Sequence, residues 1–108
     1  MIRKFLALIT LVPSLSWGAG VTVSQIEFVQ VNIDSGLSNV ALVKFETPPA
    51  NSADCATESR MLISLDTEAG KAAFSMALAA KASKSEVRAV GTNSCTNGIE
   101  SLAYFRFL

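Results

Sequence analysis

Apolar and polar positions alternate at a period of two over most of this chain, and the pattern switches to a helical period once. A long first strand runs over about 21–33. Its phase changes on the way: Ile26 and Phe28 share one face, then Val29, Val31 and Ile33 occupy the other. Side chains alternate strictly along a strand, so the change requires a bulge, a sharp bend or burial on both sides. "DSGLSN" (34–39) is a turn by composition. A second strand follows over 40–46, with Ala41, Val43 and Phe45 on one face. A long loop over 47–59 leads to a third strand at 60–65. A fourth strand over 86–91 enters the turn-rich "TNSCTNG" (92–98), and the last strand, over 99–108, carries apolar residues on both faces.

The helical stretch is "EAGKAAFSMALAAKAS", residues 68–83. Asp66 or Thr67 can cap its first amides, and Glu68 lies in the first turn, where negative charge is favoured. Lys81 and Lys84 lie near the other end, where positive charge is favoured. At 100° per residue Phe74 and Leu78 fall on one side, and Ala77, Ala73, Ala80, Ala69 and Met76 continue the apolar arc. Lys71, Ser75 and Glu68 make a narrow polar face. The arc covers roughly 200°, wider than one sheet contact needs. Phe74 and Leu78 are therefore expected to face the sheet, leaving Ala69, Ala73, Met76 and Ala80 as the face of a homo-oligomer. The plainer account is that alanine is the best helix former.

The order β-β-β-α-β-β predicts a mainly β fold with one helix: a five-stranded OB-fold-like barrel, in which a long, bent first strand serves two sheets. The competing architecture is an α+β sandwich of the same elements. Length allows one domain.

The first residues change the picture of the compartment. Arg3 and Lys4 precede the apolar "FLALITLV" (5–12), Pro13 ends it, and "SLSWGA" offers small residues for cleavage. This is the layout of a secretory signal peptide over residues 1–19, cut between Gly18 and Gly20, with the domain over 20–108. Cutting after Gly18 puts Ser16 three residues back; cutting after Ala19 puts Trp17 there, a less usual arrangement. The apolar run is short of the ~20 residues that span a bilayer, and no later stretch is long enough, so no stable membrane insertion is expected after cleavage. The chain is therefore read as exported, periplasmic or secreted.

Nine basic residues balance nine acidic ones in the full chain, and Arg3 and Lys4 leave with the leader. A slightly acidic domain with scattered lysines does not fit nucleic acid, whose affinity comes from neutralising phosphates. Cys55 and Cys95 are the two cysteines, and in an exported chain such a pair forms a disulfide. It closes a loop of roughly 40 residues and contributes roughly 4 kcal/mol in the chain-entropy description.

The available chemistry is narrow. The chain has no histidine, and no serine or cysteine has the partner that usually activates a nucleophile. The carboxylates, Glu100 among them, are scattered and read as surface charges, and no pair stands at a spacing that demands acid–base work. No phosphate loop, calcium loop or zinc spacing occurs, so neither a cofactor nor an enzyme is expected. The polar turns offer Asp34, Ser35 and Asn39 on one side and Asn93, Ser94, Thr96 and Asn97 on the other. Such side chains suit a hydroxyl-rich ligand, and in an OB-fold these two loops flank the ligand face. Turn chemistry needs the same residue types. Tyr104, Phe105 and Phe107 offer a stacking surface or a core.

"AGKAAFSMALAAKASKSEVRAVGTNSC" followed by "IESLAYFRF" resembles the C-terminal half of small exported bacterial proteins similar to the receptor-binding B subunits of subtilase-cytotoxin-type AB5 toxins. The likeness covers about 40 residues. It implies an OB-fold and an intrachain disulfide and, less directly, a pentamer around a helix-lined pore that binds cell-surface glycans. No glycan-contact motif carries over residue by residue. The expected function is thus an exported, non-catalytic binding module for a glycan. The alternative is a protein-interaction factor, an inhibitor or accessory subunit, that uses the helix face or last strand.

Overall fold

A computed structural model describes residues 19–34 and 36–108. Residues 1–18 of the expected leader lie outside the described residues, as does Ser35. Among the described residues six strands and one helix follow in chain order: β1 (Val21–Ser24), β2 (Ile26–Asn32), β3 (Val40–Phe45), β4 (Met61–Ser64), α1 (Glu68–Ser83), β5 (Val87–Thr96) and β6 (Ile99–Phe107). They form one six-stranded sheet in the order β1-β5-β6-β4-β3-β2. The β4–β6 pairing is parallel and the others are antiparallel. The fold is therefore mainly β with one helix, as expected, but the five strands closed into a barrel are replaced by six in an open sheet.

The difference lies in the first strand. It is broken at Gln25 into β1 and β2, which occupy opposite edges of the sheet. The corner is fixed by Glu46 N–H donating to the Gln25 carbonyl at 3.0 Å, Thr22 Oγ1 to the Thr47 carbonyl at 2.8 Å and Thr47 N–H to Ser24 Oγ at 2.9 Å. The phase change has a second cause. Ile26 pairs with Phe45, yet Phe28 pairs with Lys44, so Glu27 is an extra residue in a bulge. Val29 then opposes Val43 and joins Ile26 in the core, while Phe28 turns to the face of Lys44. Ile26 and Phe28, expected together, are thereby separated.

The principal core draws Ile26 from β2, Ala41, Val43 and Phe45 from β3, Met61 and Ile63 from β4, Val87 and Ala89 from β5, and Phe105 from β6. A smaller cluster of Val40, Leu42, Leu62 and Ile99, with Leu37 beside it, covers the opposite face. β3 is buried on both faces, which is why "VALV" reads as a continuous apolar run.

The helix begins as its sequence dictates. Thr67 is the cap, its hydroxyl accepting from Gly70 N–H at 2.9 Å. Gly70 is required there, because a Cβ would overlap the Ser64 carbonyl. At the other end Lys84 adopts a left-handed conformation, φ 56°, where glycine usually stands. The helix packs on β2, β4 and β6. Its inward face is the alanine stripe: Ala77 and Ala80 are fully buried, Ala73, Phe74 and Met76 pack beside them, and Leu78 is 47% exposed. Phe74 faces the sheet as expected, but the centre of the buried face lies roughly 110° around the helix from the Phe74–Leu78 edge, which leaves Leu78 outside. Alanine's small side chain brings the helix close to its own sheet, and the surface against Ala73, Met76 and Ala80 is the protein's own core. Among the described residues no helix is long and apolar enough to cross a membrane.

Candidate functional site

The long connection between β3 and β4 is held along its length. Val21 and Ala50 exchange two backbone hydrogen bonds at 2.9 Å, Thr57 N–H donates to the Gly98 carbonyl at 2.8 Å, and Cys55 is disulfide-bonded to Cys95. The bridge forms as expected and ties this loop to the β5–β6 hairpin.

Beneath that bridge lies a group the sequence reading had placed at the surface. Glu100 is 2% exposed. Its Oε1 accepts from Ala53 N–H at 3.1 Å and Gly20 N–H at 3.3 Å; its Oε2 accepts from Asn93 N–H at 2.9 Å and Gly20 N–H at 3.1 Å. Both oxygens serve only as acceptors, which suits an ionised carboxylate. Three distant segments are thereby gathered on one side chain: the chain before β1, the disulfide loop and β5. Gly91 and Gly20 make the room, since a Cβ on Gly91 would overlap the carboxylate and one on Gly20 would approach Oε1 to 2.9 Å. Glu100 has the same parity as Leu102, but the strand also buries Ile99 and Phe105 at the opposite parity, so the sequence did not single out Glu100 as inward.

"TNSCTNG" is mostly strand rather than loop. Thr96 pairs with Ile99 across a two-residue turn of Asn97, φ 52°, and Gly98, φ 79°, the geometry that Asn-Gly favours in hairpins. Between Gly91 and Cys95 the register shifts, and Asn93, φ 68°, turns its N–H onto Glu100. Ser94, Thr96 and the side chains of Asn93 and Asn97 are exposed. Asn39, φ 58°, closes the β2–β3 turn: its N–H donates to the Asn32 carbonyl at 2.8 Å and its side-chain amide to Asp66. Asp34 is exposed in the same turn. Asn39 adjoins the C-terminal end of β4 through Leu65, whereas Asn97 and Gly98 adjoin its approach through Thr57. The two predicted ligand loops therefore stand at opposite ends of β4. Of the expected oligomer face, Ala80 is buried, Ala73 and Met76 are half-buried, and Ala69 is exposed.

A concave site does exist where the parallel pair parts. Only Met61–Glu100 and Leu62–Ser101 are paired between β4 and β6; beyond them the strands diverge. The gap is a cleft of about 230 Å³, with Ile63 and Ser64 on one wall, Ser101 to Tyr104 on the other and Gly70 and Ala73 of α1 at its base. Tyr104 is 50% exposed at its rim. The Ser101 and Tyr104 hydroxyls take no hydrogen bond from the described residues, whereas Ser64 Oγ accepts from Asp66 N–H at 3.3 Å. Sequence reasoning named Tyr104 as a stacking candidate but missed Ser64 and Ser101, whose only signal was polarity inside otherwise apolar strands.

Arg60 is bonded to Glu58 through Nε and Nη2, while its Nη1 donates to Gln30 Oε1 at 3.0 Å. The hydrogen bond from Arg60 holds the Glu58 carboxyl below its usual range, outweighing partial burial. Among the described residues no cluster of three His, Cys, Asp or Glu side chains is placed to hold a metal ion. No protein-family model, curated protein or solved structure matches this chain.

Proposed function

We propose that the chain is an exported, non-catalytic binding module on an OB-type scaffold, and that its ligand is a glycan seated in the β4–β6 cleft. Support for the scaffold comes from β1 and β2, which lie on opposite edges of the sheet yet are separated by Gln25 alone. Taken as one bent strand serving both edges, they curl the sheet toward a five-stranded barrel. The Cys55–Cys95 bridge is compatible with an oxidising compartment.

The observation that supports the ligand class is the half-exposed Tyr104 at the rim of a mostly apolar cleft that Ser101 also lines, with the Ser101 hydroxyl making no hydrogen bond among the described residues. A sugar presents an apolar C–H face for an aromatic ring and hydroxyls for polar groups, and a cleft this small takes a single ring. A glycan array probed with the exported protein tests the reading; silence across sialylated and neutral glycans contradicts it.

A second reading, a protein-interaction factor, draws on the outer face of α1, where Ala72, Leu78, Ala79 and Ala82 are exposed. A stable complex on co-purification, with a mass above the monomer's by light scattering, favours it; a monomer that binds glycan favours the first.

A further inference from the structure

We infer that Glu100 is the receptor for a newly made N-terminus: hydrolysis of the Ala19–Gly20 bond converts the Gly20 amide into an α-ammonium group that forms a buried ion pair with the Glu100 carboxylate. This rests on the reading of the first residues as a cleaved leader. Water adds across the peptide bond; Ala19 departs with the leader as a carboxylate, and the nitrogen gains its protons as the ammonium of Gly20. An endopeptidase of the export route is the catalyst.

The inference starts from an electrostatic imbalance. Glu100 is 2% exposed, yet among the described residues the ion-paired carboxylates are Glu27, Glu58 and Glu68. A buried carboxylate without a cation is disfavoured, and neutral N–H donors offset only part of the lost hydration. The nitrogen that touches both of its oxygens is that of Gly20, at 3.1 and 3.3 Å. Breaking one bond makes that same atom a cation without moving it. Gly20 is held in place: its carbonyl accepts from Gly91 N–H at 2.8 Å, and Glu100, Met61 and Pro49 crowd the position where a side chain would begin. Cleavage one bond earlier would leave the charge on Ala19, which is half-buried, one residue short of the carboxylate. The geometry thus chooses between the two bonds that the leader's small residues allow. It also gives processing a structural consequence, since the new charge pair locks the chain end, the Ala53 loop and β5 together.

The test uses the full chain expressed with its leader and recovered after export. N-terminal sequencing is expected to read Gly20 first; a first residue of Ala19, or a retained leader, overturns the inference, and the retained leader removes the export reading with it. The recovered protein is then labelled with an amine-acylating reagent, folded and in urea. A Gly20 amine locked on Glu100 reacts at least about tenfold more slowly in the folded protein. In Glu100→Gln the folded-state rate approaches the unfolded one. Equal rates in folded and unfolded wild type overturn the pairing while leaving the leader reading intact, and that comparison stands even where Glu100→Gln does not fold.

Discussion

The Glu100 carboxylate occupies the space in which a side chain on Gly91 would begin. Two residues on neighbouring strands thus specify each other: the glycine admits the carboxylate, and the carboxylate satisfies the N–H groups of Gly20, Ala53 and Asn93. Gly91→Ala is expected to destabilise the fold by about 2–3 kcal/mol through overpacking. Glu100→Ala, which leaves those donors unpaired, is expected to cost about 3 kcal/mol or more. Because both act on one contact, the double variant should lose less than the sum of the two. Urea unfolding of the three variants measures this; strict additivity contradicts the mutual dependence.

The alanine stripe of α1 makes a contrast between adjacent residues. Ala80 is fully buried against the sheet and Ala79 is exposed. Ala80→Glu places a charge in the core and is expected to abolish folding or destabilise by several kcal/mol. Ala79→Glu is expected to stay within about 0.5 kcal/mol of wild type. Thermal melting followed by circular dichroism distinguishes them; a folded, unperturbed Ala80→Glu would mean that the helix presents this face outward.

The two ends of the helix predict opposite signs. Thr67→Ala removes the hydroxyl that accepts from Gly70 N–H and should cost about 1 kcal/mol. Lys84→Gly relieves a left-handed conformation and should gain up to about 1 kcal/mol, less whatever the loss of chain stiffness offsets. Both shifts are within reach of denaturant midpoints.

Acid dependence has one assigned contributor in Glu58. Its folded pKa is depressed below the ordinary 4.5 by the hydrogen bond from Arg60. The pair therefore contributes stability above that value, and the contribution disappears as pH falls through the lower folded value. Both side chains are partly solvated, so the effect should be below about 0.5 kcal/mol. Glu58→Gln should lower stability slightly at pH 7 and leave it unchanged at strongly acid pH, as read from unfolding midpoints at the two conditions.

Much of the fold was legible because it depends on local period and turn chemistry. The alternation in Ala41, Val43 and Phe45, the Thr67 cap and the Cys55–Cys95 bridge all follow from residues read in order. What sequence alone could not supply were quantities set by register. The Glu27 bulge reassigns Phe28 to another face, and the break at Gln25 sends one apparent strand to two edges. The helix was rotated for a related reason: its apolar arc is so broad that angular placement could not choose its centre. The tertiary packing centres the contact on Ala77 and Ala80, keeps Phe74 beside them and leaves Leu78 exposed. Asn-Gly at 97–98 was a hairpin signal in plain view, hidden by the polarity of the residues around it. The cleft was least legible, because it exists where the β4–β6 pairing stops after Leu62 and Ser101, a tertiary event with no sequence signature.

Whether the β4–β6 cleft is the ligand seat is tested most directly by titrating wild type and Tyr104→Ala with a glycan that the array returns. The account predicts binding by the wild type and a loss of about tenfold or more in the variant, the scale of one aromatic stacking contact, with an unchanged melting temperature. Equal affinity in the two proteins, or a folded wild type that binds no glycan, would contradict it.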